Sequence, residues 1–461
     1  MSDANTPILN LQEVYDGKNH YMPSFFRIKL GVMADFMDVP NIPFGSFAAF
    51  FHEYVHYLQD VTTLYGLMNL GNVVYYVRDA AARVGKLPKG DFEVPISLDP
   101  NKGDAGYQNS ILRKLYNGSS INPKHSLVDL LKYDVIKAEG SEIEKVVLIL
   151  RDRESGVEFN ADFGGNVLTE GMAFMAESWC NNKMFEDNGI EYPYPSEYPY
   201  MVNWFIAKRI YPEFAKEIVM MVALADLSLL TFNCGLTYIR LLEHLKEIEF
   251  MQTVTKENYV ESIDRFYEIG HKFINWDMGR FRAIQNQVLE EVKYYFKMPI
   301  ASELNDWISR VWEKAYELRQ KAPHYITDIM LCNEGNVRSN RVFCEVYLGL
   351  GTPLIINGDD EGAIVPPQGF NPSKDFMPGL YWAIEEIARI FSGSCEALPC
   401  QLKDYCIRSN QEKEYNLPVD GRCDKEPWLH SNDVEGLCPV GAIWKHWSLQ
   451  EHWPKKYKGT I

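Results

Sequence analysis

The sequence predicts an α+β protein, predominantly helical, in which a small sheet lies beside one histidine-bearing helix. Two observations carry that expectation. Apolar residues recur at spacings of three and four through most of the chain after residue 165, whereas strand-like runs cluster before it. With 461 residues, 46% hydrophobic and 13% aromatic, the chain can fill two or three packed units and is too apolar for disorder.

Taken in order, Phe25 to Leu30 reads as a strand. Pro43 and Gly45 then act as breakers, Ser46 is placed to cap a helix, and Phe47, Phe50, Phe51, Val55 and Leu58 follow at helical spacing. Glu144 to Arg151 reads as a buried strand. Arg153-Glu154-Ser155-Gly156 can turn, and Val157 to Phe163 alternates as a second strand. Gly164-Gly165 leads into a helix beginning near Asn166, with Glu170 in its first turn. Ile218 to Phe232 is expected as a buried helix, because Asp226 interrupts it and it is shorter than a bilayer span. Helical periodicity returns over Tyr238 to Gln252, Lys256 to Phe296 (long enough for two helices), Glu303 to Gln320 and Asp375 to Phe391. These patterns divide the chain into a sheet-bearing region (1–165), a mainly helical region (166–391) and a cysteine-rich tail (392–461). No internal repeat is visible.

A net charge of −17 argues against a general basic surface for nucleic acid or for an anionic membrane. The first residues lack a basic segment followed by an apolar one, so a cytoplasmic location is expected.

The most informative segment is His52-Glu53-Tyr54-Val55-His56 inside the first helical pattern. Residues four apart share a helix face, so the two imidazoles can converge on one ion. Glu53 leaves the helix beside that ion, where a carboxylate can take a proton from a water polarised there. Hydrolytic zinc needs a third protein ligand, and two neutral histidines leave its charge uncompensated. Glu170 can supply the missing carboxylate if its helix packs closely on the first, an approach that Gly171 and Ala173 favour. Glu177, two turns on, shares its face and can orient a ligand imidazole, as can Asp60.

A His-Glu-x-x-His helix followed downstream by Glu170-Gly171-Met172-Ala173 resembles the gluzincin branch of the zincin metallopeptidases. The resemblance implies a zincin-like fold, Zn²⁺ held by His52, His56 and Glu170, Glu53 as general base, and a peptide or protein substrate. Gln59, three residues after the second histidine, also recurs in zincin families. Residues 57–169, 113 in number, separate His56 from Glu170, which is long for compact members and implies an insertion. No family signature marks an oxyanion donor; His271 and His324-Tyr325 are the candidates from residue type. The Glu144 to Phe163 hairpin would either line the cleft as an edge strand or simply complete the sheet.

Five of the nine cysteines lie in the last 67 residues: Cys395, Cys400, Cys406, Cys423 and Cys438, with His430, His446 and His452 among them. Their gaps of four, five, sixteen and fourteen residues do not form paired Cys-x-x-Cys ligands. A second, structural Zn²⁺ held by Cys400, Cys406, Cys423 and Cys438 is the first reading, because thiolates bind zinc tightly in a reducing compartment. An iron–sulfur cluster, hinted at by Cys438-Pro439, and ordinary packed thiols are the others. The functional expectation is therefore a zinc metallopeptidase. The alternatives are a zincin-fold binding or regulatory protein without activity, and a metal-sensing or redox protein centred on the tail.

Overall fold

The computed structural model describes residues 19–456, apart from positions 23, 25, 33, 99–104, 120–126, 193–195, 296, 333–336, 360, 375, 394–398, 414, 415, 434 and 435. It is mixed α+β and mostly helical, with small sheets. The first long helix, α1 (Phe44–Thr62), is buried almost all round: Phe47, Phe50, Phe51, Tyr54, Val55, Tyr57 and Leu58 are at most 1% exposed. Each such large apolar side chain contributes roughly 1.5–3 kcal/mol by leaving water, which fixes the helix as a central beam. Pro43, not Ser46, occupies its N-cap, and no side chain caps it. Gly45 does not break the first turn, since the N–H groups there have no partner within the helix in any case.

At the other end of α1, Thr63 caps α2 (Leu64–Val84) by accepting the Gly66 N–H at 3.0 Å. A Cβ on Gly66 would fall 2.1 Å from the Asp60 carbonyl oxygen, so only glycine lets α2 fold back this tightly. Arg319 reaches the same corner. Its guanidinium donates to Thr62 O and Oγ1 at 3.0 and 3.1 Å and pairs with buried Asp226, placing a cation at the C-terminal end of α1.

The described strands form three sheets. The strands β1 (His20–Met22) and β2 (Arg27–Lys29) pair antiparallel. Strand β3 (Gly90–Val94) follows, and β4 (Val128–Lys137), β5 (Glu144–Asp152) and β6 (Glu158–Phe163) form a separate antiparallel sheet. Later in the chain, β7 (Leu354–Ile356) joins β2 in parallel and β8 (Gly362–Ala363) joins β7, giving the order β1-β2-β7-β8. The last strand, β9 (His452–Lys456), pairs in parallel with β3. Strands are therefore not confined to the first 165 residues. Those of two or three residues are too short to display an alternation in sequence.

The remaining helices are α3 (Ala105–Asn117), α4 (Gly165–Asp187), α5 (Glu197–Tyr200), α6 (Val202–Ile210), α7 (Ile218–Leu229) and α8 (Cys234–Glu247). They continue with α9 (Tyr259–Phe273), α10 (Met278–Tyr295), α11 (Ser302–Lys321), α12 (Tyr325–Leu331), α13 (Arg341–Leu350), α14 (Gly379–Ser392), α15 (Lys403–Lys413) and α16 (Pro439–His446). The long pattern from Lys256 to Phe296 resolves into α9 and α10, and the apolar run at Ile218 is the buried helix α7. No described helix is long and apolar enough to cross a membrane.

The tail after Ser392 packs into the common core. Trp444 on α16 lies against Phe92 of β3 and Phe391 of α14, and the β3–β9 pairing joins it by backbone hydrogen bonds to residues 90–94.

Candidate metal centre

Helices α1 and α4 pack side by side and place the three expected ligands together. The Nε2 atoms of His52 and His56 are 3.2 Å apart, and Glu170 Oε2 is 3.5 Å from each. Ligand atoms about 2.0–2.2 Å from a tetrahedral zinc stand roughly 3.3–3.6 Å from one another, and the distances in this triangle are close to that spacing. Among the described residues no other His, Cys, Asp or Glu ligand atoms form so tight a group of three. The three side chains are 11–15% exposed, so the triangle is not sealed from solvent.

The ring nitrogens away from the triangle are both held. His52 Nδ1 lies 2.9 Å from Glu177 Oε2, and His56 Nδ1 lies 2.9 Å from Gln59 Oε1. Both acceptors require an Nδ1–H, so each Nε2 presents a lone pair inward, as a metal ligand must. Gln59 also donates from Nε2 to the Thr169 carbonyl at 3.1 Å, tying α1 to the residue preceding Glu170. Tyr192 donates its hydroxyl to the second oxygen of Glu177. Two lone pairs and a carboxylate oxygen aimed at one point repel unless a proton or a cation sits among them. Burial lowers the His52 pKa, but Glu170 and Glu177 outweigh it and raise it well above the ordinary histidine value. Burial likewise opposes ionisation of Glu170, yet His56 and His52 hold its carboxyl well below the usual range.

Glu53 is 6% exposed and lies beside the triangle. Burial raises its pKa, His52 and His56 pull it back, and the charge of Glu170 pushes it up again; the Tyr21 backbone N–H bonds its carboxylate. That N–H belongs to β1, the terminal strand of its sheet among the described residues. The strand beside the site is therefore β1, and the Glu144 to Phe163 hairpin is part of the separate β4-β5-β6 sheet that leads into α4.

Three expectations change. Glu170 is in the second turn of α4, which begins at Gly165. Gly171 faces the chain after α5: a Cβ there would fall 2.3 Å from Asn203 Nδ2 and 3.2 Å from Tyr200 O. Asp60 is 6% exposed and does not orient a histidine ring; it accepts from Tyr21 Oη at 2.8 Å and from the Ser24 N–H at 2.7 Å, clamping β1 onto α1. Burial pushes its pKa up to about 7, with those two hydrogen bonds opposing.

Tyr200 carries no signal in the sequence pattern. Its ring centroid is 5.9 Å from that of His52, and after burial the charges of Glu170, Glu53 and Glu177 are what raise its pKa. Its hydroxyl thus remains protonated beside the triangle. The residue-type candidates sit elsewhere: His324 bonds Asp328 at 3.0 Å and faces Asp264 at 3.3 Å, His271 packs on Trp276 and Tyr267, and Tyr325 meets Thr62.

Of the tail cysteines, Cys395 lies outside the described residues. Cys400, Cys406, Cys423 and Cys438 are all buried and free, on neighbouring segments. Comparison of the chain with protein-family models, curated proteins and solved structures finds no match.

Proposed function

We propose that the protein is a zinc-dependent metallopeptidase whose centre is His52, His56 and Glu170, with Glu53 as general base. The observation that carries this reading is the triangle of ligand atoms at 3.2, 3.5 and 3.5 Å, each imidazole oriented from behind, with a buried carboxylate next to it. Zinc held there would polarise a substrate carbonyl and lower the pKa of a water beside it. Glu53 takes the proton as that water attacks the carbonyl carbon. It then passes the proton to the departing amine nitrogen as the C–N bond breaks. Burial raises its pKa above that of an ordinary glutamate, which makes it a stronger acceptor for the proton of the water. The Tyr200 hydroxyl donates to the oxyanion that develops on the carbonyl oxygen.

The position of β1 beside Glu53, as the terminal strand of its sheet among the described residues, favours a peptide bound in extended form by strand addition. The reading is tested by incubating a peptide library with the wild-type chain and with Glu53→Gln and sequencing the new amino termini. Termini made only by wild type are expected; identical products from both, or none from either with zinc bound, would overturn it.

A further inference from the structure

Cys400 precedes α15, Cys406 lies in its first turns, Cys423 is in the short 3₁₀ turn Gly421–Asp424, and Cys438 caps α16. The backbone brings these segments together. The Cys400 N–H donates to the Cys423 carbonyl at 2.6 Å. Gly441 sits where a Cβ would fall 2.7 Å from the His430 carbonyl carbon, so the start of α16 presses against the segment that follows Cys423. The thiols share one locality: Cys438 and Cys406 act on the charge of Cys400, and Cys438 and Cys423 act on that of Cys406. All four are buried, at 5–8% exposure, and none is in a disulfide.

Their spacing decides what they fit. Four thiolates around one tetrahedral zinc, about 2.3 Å from it, would stand roughly 3.8 Å from one another. Among the described residues, no three of these sulfurs approach one another as closely as the ligand atoms of His52, His56 and Glu170 do. A cubane iron–sulfur cluster binds its four thiolates on the outside of a metal–sulfide core, and so spreads them further apart than one ion does. Two sulfurs already have the contacts such ligands use. The Gly441 N–H donates to Cys438 Sγ at 3.4 Å, and buried His430 sets its Nε2 3.4 Å from Cys423 Sγ while Asp433 holds its Nδ1 at 2.8 Å.

We infer that Cys400, Cys406, Cys423 and Cys438 form a cage for a [4Fe–4S] cluster, separate from the hydrolytic centre. The inference does not depend on the peptidase reading, because its metal, ligands and helices are different. The test uses the full chain, produced with iron and reconstituted anaerobically with ferrous iron and sulfide. About four irons and four acid-labile sulfides per chain are expected, with visible charge-transfer absorbance and a paramagnetic spectrum on reduction. Cys406→Ser and Cys438→Ser should lose that absorbance, whereas His52→Ala should keep it. One equivalent of zinc without sulfide, lost in Cys406→Ser, would overturn the cluster in favour of a single ion. Wild-type protein that takes up neither iron with sulfide nor zinc at these thiols would overturn the site itself, and that measurement requires no variant to fold.

Discussion

Glu177 Oε2 lies 2.9 Å from His52 Nδ1, placed there by a helix that also carries Glu170 seven residues earlier. One face of α4 thus supplies both a ligand and the acceptor that orients another ligand. Two turns of helix bring residues seven apart to the same side, so rotation of α4 would disturb both contacts together. Glu177→Ala is expected to lower zinc affinity by about 10–100-fold while leaving all three ligands in place. Competition with a chelator measures this; an unchanged zinc dissociation constant would remove Glu177 from the role. Tyr192→Phe should have a smaller effect in the same direction, because it steadies only Glu177.

Glu53→Gln keeps the size and burial of the side chain but cannot accept a proton. Peptide hydrolysis should fall by about 10²–10⁴-fold with zinc content unchanged. Paired metal analysis and turnover on any peptide cut by wild type check it, and activity within a few-fold of wild type would contradict a general-base role.

Tyr200→Phe removes one hydroxyl and nothing else from the wall of the site. Loss of an oxyanion donor should reduce kcat by about 10²–10³-fold and leave KM and zinc content nearly unchanged. A rise in KM alone would show that Tyr200 binds substrate without stabilising the transition state.

Asp60 gives a pH dependence whose sign follows from its environment. Its carboxyl titrates at about 7 in the folded chain against 3.8 for an ordinary aspartate, chiefly because it is buried. The folded state therefore binds the proton more tightly than the unfolded state, so the stabilisation is full below pH 3.8 and is lost as pH rises through about 7. Between those limits its contribution to unfolding free energy should decline by up to about 1.4 kcal/mol per pH unit, and Asp60→Asn should flatten that slope. Denaturant titrations of both proteins from pH 5 to 8 measure it; equal slopes would place the titration elsewhere.

The site was legible where chemistry depends on local spacing. His52, Glu53 and His56 sit on one helix, so the four-residue step alone determines which side chains converge. Glu170 was singled out because two neutral histidines call for a carboxylate partner, and the structure places it with them. The position of Gly171 was read correctly as a close approach but with the wrong neighbour, since sequence records the missing Cβ and not the segment that uses the space. Tyr200 escaped notice because a tyrosine in a short helix carries no periodic signal, and tertiary contacts to α4, from Phe174 to the Tyr200 ring and from Asn203 Nδ2 to Leu168 O, bring it to the site. The long helices other than α2 (Leu64–Val84), and the β5–β6 hairpin, were legible from hydrophobic period. The pairings of β2 with β7 and of β3 with β9 were not, because register between strands hundreds of residues apart is set by tertiary packing.

Metal content decides whether α1 and α4 together build a zinc centre. Full-length protein should hold about one zinc that His56→Ala and Glu170→Ala each release while circular dichroism stays native, and that Cys406→Ser does not release. Native, folded protein whose zinc content is the same with and without His56 would contradict the account.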